Sequence, residues 1–217
     1  MADQQRIAAW RKRVEGQMYR EILVLHEHRR LWLETREILE GNPDLPASVW
    51  WDWMSDVYSY SQAIAVRRQV DADDRSAGLL RLLIEVEPAS GTLTRDWWLS
   101  HFDGVPAPAI VDAERRWDDH FETDRLEPDT VTADISDLRI VSEKVKHFVD
   151  RGVAHSDRRA LKPDELPTLK DVHESIDVVG RVYQRYAMLL TQGIPSLSPV
   201  IPEDWKAIFR VPWLRSG

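Results

Sequence analysis

The chain contains no cysteine. That removes disulfides, thiol nucleophiles and thiolate metal sites together. Long apolar runs are missing as well: every hydrophobic stretch is broken by Arg, Glu or Asp within a few positions, so no membrane span and no membrane partner are expected. Residues Met1 to Arg6 lack the apolar core of a secretory signal, and a cytoplasmic location is the expectation. β-Branched alternation never persists, so no strand is required. Glycine-rich phosphate loops, His-Glu-x-x-His and Gly-x-Ser-x-Gly are all absent. The seven histidines are scattered. His26 and His28 stand two apart, on different sides of a helix, so they do not chelate one ion together, and neither a metal nor a cofactor is expected. Positive charge is in deficit, with a net charge of −8. Any contact with nucleic acid therefore needs a local basic patch or a partner protein.

What the chain does have is helical periodicity and ten tryptophans. Ile7, Trp10, Val14, Met18, Ile22 and Leu25 recur at three- and four-residue steps, predicting a first helix that runs toward Leu39 and stops at Gly41-Asn42-Pro43. A second helix starts near Pro46, with Trp50, Trp53, Val57, Tyr60 and Ile64 as its apolar stripe. Asp71 to Asp74 supply turn and cap chemistry for a shorter helix through Leu79–Leu83, and Thr94 caps another that carries Trp97, Trp98 and Phe102. A polar helix spans about Ala109 to Phe121. A long helix over Ala133–Val153 is then expected, and another over Leu169–Leu190 that ends at Gly193. Trp205 and Trp213 are expected to dock the C-terminal tail. The fold class is all-α, a four-helix bundle with additional short helices, in which residues 1–193 form one domain and 194–217 form a tail with a short helix packed on it. The tryptophans at 50, 53, 97 and 98 are expected to serve packing.

One polar segment stands apart, Lys144-Val145-Lys146-His147-Phe148-Val149-Asp150-Arg151-Gly152-Val153-Ala154-His155-Ser156-Asp157. On a continuous helix His147, Arg151 and His155 share one face, with Lys144 beside them. A cation next to an imidazole favours its neutral, proton-accepting form, and a guanidinium holds phosphate through paired hydrogen bonds. A histidine late in a helix also satisfies free carbonyls and the helix dipole, so a purely structural role for His155 stays open.

Val153-Ala154-His155-Ser156-Asp157 resembles the end of the signature of HEPN domains (higher eukaryotes and prokaryotes nucleotide-binding), in which Arg and a polar residue precede His. Asp73 to Leu83, Leu93-Thr94-Arg95-Asp96 and Val182-Tyr183-x-x-Tyr186 resemble the branch similar to the abortive-infection U protein, in matching order from about Leu31 to Leu190. The resemblance implies a HEPN-like bundle, often a homodimer, that cuts RNA without a metal in phage defence or as a toxin. It also implies an antitoxin or defence protein as a partner. It assigns His155 as acid/base and Arg151 as phosphate ligand; beside them on the segment, Lys144 and His147 are candidate RNA contacts and Asp150 and Asp157 candidate orienting groups. The commoner family spacing puts Val149 in the arginine slot, Asp150 in the polar slot and Arg151 where Lys often stands. Either Arg151 substitutes from one turn away, or the domain binds RNA, nucleotide or protein without catalysis. A helical dimerisation module with surplus tryptophans is the third reading.

Overall fold

The computed structural model describes residues 2–45, 48–153 and 162–211. Nine α-helices are described: α1 (Ala2–Arg13), α2 (Tyr19–Glu40), α3 (Val49–Gln69), α4 (Leu79–Val86), α5 (Arg95–Leu99), α6 (Ala107–Asp118), α7 (Pro128–Val141), α8 (Glu143–Phe148) and α9 (Leu169–Thr191). No strand occurs among the described residues; a single isolated bridge pairs Thr94 with Arg125. None of these helices is long and apolar enough to cross a membrane. The all-α expectation holds.

The central element is α9. Thr168 and Asp171 cap its start reciprocally, each side chain accepting from the other's backbone N–H. Its end is a left-handed Gln192 at φ 60°, one residue before the glycine expected to stop it. Val172, Ile176, Val179, Val182, Tyr183 and Tyr186 are buried, and α1, α2, α3 and α7 all pack against it. Two of its tyrosines reach across the bundle. Tyr183 Oη donates to the Val14 carbonyl at 3.1 Å, inside a π turn (Val14–Met18) that joins α1 to α2. Tyr186 Oη donates to Asp134 of α7 at 3.1 Å. Asp134 is buried, and both its oxygens lie 2.7 Å from Arg185 Nη1. Charge assistance keeps a carboxylate tolerable in this position.

Two expectations change. The helix expected over Ala133–Val153 starts earlier, at Pro128, and breaks at Ser142 (φ −94°, ψ 5°). The buried Ser142 hydroxyl donates back to the Leu138 carbonyl and competes with the helix ladder. After α8 the chain widens into a π turn, Val149–Val153. The second change concerns α3. Its apolar stripe, whose Trp50 and Trp53 were expected to serve packing, faces outward: Trp50, Trp53, Val57, Tyr60 and Ile64 are 38–57% exposed. The buried face is Tyr58, Gln62, Ala63, Val66 and Gln69, with Gln69 donating to Glu21 of α2 at 2.8 Å. Heptad spacing marks a stripe able to meet a helix, but it does not say which helix. Small and amide side chains let α3 approach α2 and α9 on the other side.

The remaining tryptophans do serve packing. Trp98 and Trp117 are buried and donate to the carbonyls of Met188 and Thr123, while Trp10 donates to Glu85. Trp32 of α2 lies flat between Trp51 and Tyr58 of α3, with centroids 4.6 Å away on each side. Along the tail Leu197 is buried, and Lys206 pairs with Glu34 of α2 at 2.7 Å. Trp213 lies outside the described residues.

His26 of α2 sits under Gly180 of α9, where an added Cβ would come 2.6 Å from its Nε2. Burial, with Arg29 adding to it and Asp177 opposing, pushes its pKa down to about 4. The unfolded chain therefore binds more protons between pH 6.5 and 4. The stability contributed by neutral His26 is fully present above pH 6.5 and is lost as pH falls toward 4. In urea titrations over that window, His26→Gln should flatten the decline. At neutral pH, Asp134→Ala should cost about 3 kcal/mol by leaving Arg185 uncompensated, and Tyr186→Phe about 1 kcal/mol, both read from the same titrations.

Candidate functional site

The polar segment singled out in the sequence lies on α8 and the π turn after it. Such turns, which hold one residue more than an α turn, concentrate at functional positions. His147 and Arg151, both half-exposed, line one open groove of about 690 Å³ together with Lys146, Asp150, Arg139 and Glu143. Val70 and Leu80 form part of its apolar wall. The four-residue spacing of His147 and Arg151 brings these two to a common surface. His155 and Asp157 lie outside the described residues.

Among the described residues Asp150 joins the π turn to α3 and to Lys146. Its Oδ1 accepts from Arg67 Nε at 2.5 Å and its Oδ2 from Lys146 Nζ at 2.6 Å. Burial alone would raise its pKa; the hydrogen bonds from Lys146 and Arg67 outweigh that and hold the carboxyl below its ordinary range. Arg67 also bonds Asp71 at 3.2 Å. Although burial works against its charged form, the two carboxylates raise the guanidinium's pKa. Asp150 is thus the brace that ties the π turn to α3. Lys146 was legible as a partner, since it precedes Asp150 by four residues on a helix. Arg67, on another helix, was not.

Lys144 is exposed and does not line the groove. It lies on the flank toward α9, where its charge helps lower the carboxyl of Asp171, after the hydrogen bonds from Thr168. Lys146 and Arg139 are the groove's cations in its stead. Glu165, in the 3-10 turn Pro163–Glu165, is a further neighbour that sequence reasoning missed. The Lys162 N–H holds its carboxyl below the usual range, and the charges of His147, Lys162 and Arg151 add to this. Among the described residues no group of three His, Asp or Glu is arranged to hold a metal ion.

Val149, in the slot where the family motif has arginine, is 7% exposed and belongs to the hydrophobic core. A guanidinium at this position would lie inside the bundle. Val149→Arg is expected to cost about 3–5 kcal/mol, as an unpaired buried charge does, rather than restore a phosphate ligand. Thermal unfolding of the variant checks this: an unchanged Tm would mean that the side chain reaches solvent.

The groove therefore offers an imidazole, a guanidinium and an ammonium on one surface, a set suited to a phosphodiester. The family model described as AbiU2, a HEPN family, matches residues 7–208. No curated protein and no solved structure matches the chain.

Proposed function

The chain belongs to the HEPN AbiU2 family, and from that premise we propose that it acts on RNA as a metal-independent endoribonuclease of the phage-defence or toxin kind. The observation that carries this reading is the common groove of His147 and Arg151, with Lys146 on its rim. In the proposed reaction a ribose 2′-hydroxyl attacks the adjacent phosphorus. The 2′-oxygen–phosphorus bond forms, the bond to the 5′-oxygen breaks, and the products are a 2′,3′-cyclic phosphate and a 5′-hydroxyl. Histidine, His155 by the family motif, takes the hydroxyl proton and returns one to the leaving oxygen. Arg151 carries the charge that develops on the phosphoryl oxygens, and His147 and Lys146 hold the flanking backbone. Asp150 acts indirectly, through its grip on the turn.

A second reading is favoured by the burial of Val149 in the arginine slot. On this reading the domain binds RNA, a nucleotide, or an antitoxin or defence partner without cutting. The acidic chain, at −8, would then rely on the groove's few cations, and its affinity for RNA would show a shallow salt dependence.

Incubating the purified chain with total RNA in the presence of a chelator separates the two. Endoribonuclease action predicts fragments ending in cyclic phosphate, reduced roughly a hundredfold or more by Arg151→Ala and by His155→Ala. Absent cleavage, or cleavage indifferent to both variants, rejects catalysis and leaves binding.

A further inference from the structure

The bundle has a second groove, of about 520 Å³, a volume within the range of small-molecule sites. It lies between α1, the π turn Val14–Met18, and α5 with the 3-10 turn Ser100–Phe102. It is separate from the groove of His147 and Arg151. Arg11, on its wall, donates to the Leu190 carbonyl and the Gln192 side chain at the end of α9. The other groove meets α9 near its start, where Ser175 donates to Val141, next to the groove-lining Ser142. The helix from Ser175 to Leu190 sets the two roughly 20 Å apart.

One part of the second groove is cationic. Arg11 and Lys12 both line it, and among the described residues neither forms an ion pair. Arg11 donates through Nε and Nη2 to neutral oxygens, at 2.6 and 2.9 Å, which leaves Nη1 for a ligand. Glu15 also lines the groove and pairs with neither cation. In a chain at −8, neighbouring cations without acids mark a place for an external anion. The other part is flat and apolar, formed by the half-buried Trp97 and by Ile7. His101 stands edge-on to this indole, with centroids 4.8 Å apart, and its Nδ1 donates to the Trp97 carbonyl at 2.9 Å. A carbonyl only accepts, so the neutral ring carries its proton on Nδ1 and keeps a free lone pair on Nε2. Gly16 of the π turn is a further lining residue, and an added Cβ there would meet open space. A wall bare of side chain lets backbone approach a ligand closely.

The two parts together select a ligand with two parts. An inorganic anion would engage only Arg11 and Lys12, and an apolar ligand only Trp97 and Ile7. A phosphate joined to a flat base that carries N–H donors engages both. We propose that this groove binds a nucleoside monophosphate unit, either free or as one residue of an RNA strand. The phosphate lies on Lys12 and Arg11 Nη1, and the base lies along Trp97. His101 Nε2 accepts from a base or ribose donor. The site is argued from its own residues and does not depend on the ribonuclease reading.

Isothermal titration of the full chain with AMP, CMP, GMP and UMP tests this, with the matching nucleosides and inorganic phosphate as half-ligands. A mononucleotide should bind, and each of its halves alone should bind roughly tenfold or more weakly. Lys12→Ala and His101→Ala, both at exposed positions, should each weaken nucleotide binding about tenfold with Tm unchanged. Arg151→Ala should leave it unaltered, which separates this site from the first groove. A single-stranded RNA octanucleotide, titrated into Arg151→Ala so that the strand stays whole, distinguishes the sources. Mononucleotide binding identifies a free ligand, and binding of the octanucleotide alone, with the same dependence on Lys12 and His101, identifies the strand. No binding of either at millimolar concentration, binding indifferent to Lys12 and His101, phosphate alone as tight as nucleotide, or mononucleotide binding lost in Arg151→Ala would overturn the proposal. Nucleotide binding without RNA cleavage supports this site while rejecting the ribonuclease, and cleavage without such binding does the reverse.

Discussion

A carboxylate inside the bundle sets the terms for the rest of the structure. Asp134 is withdrawn from water and is stable there because Arg185 and Tyr186, successive residues of α9, both reach it. This geometry fixes the rotation and height of α7 against α9. Sliding either helix by a turn would strand a charge in the core at a cost of several kcal/mol. Since α8 follows α7 after a single intervening residue, the placement of the groove inherits that register. Tyr183, one turn back along α9, ties the Val14 carbonyl in the same way. The tyrosine pair thus ties the N-terminal π turn and α7 to one helix.

The fold was largely legible because its signals are local. Three- and four-residue recurrence, Thr94 as a cap, and Gly41 as a stop correspond to helix ends observed in α5 and α2. Where the sequence misled, the deciding partner was distant. Periodicity alone does not distinguish the two apolar faces of α3, and the choice is made by Glu21 and by the aromatic sandwich with Trp32. The break at Ser142 depends on whether a hydroxyl turns outward or back to its own helix, which only burial decides.

The candidate site was legible in part. His147 and Arg151 come together because a four-residue step survives the change from α to π geometry well enough to keep one surface. Asp150 looked like an orienting group by its position in the motif, but Arg67, on another helix, has first claim on it. Lys144 looked adjacent by sequence and sits on the wrong flank.

The π turn at Val149–Val153 carries a further consequence, for how the chain tolerates change in length. Such a turn behaves as a one-residue insertion absorbed within a helix. Removing a single residue there would let the helix close into regular α geometry while the turns on either side keep their phase. Spacing counted in residues and spacing counted in turns thus diverge at this one point. Relatives that differ by one residue between Val149 and the histidine can keep the same chemistry on the same surface, or lose it, without any change in the side chains themselves.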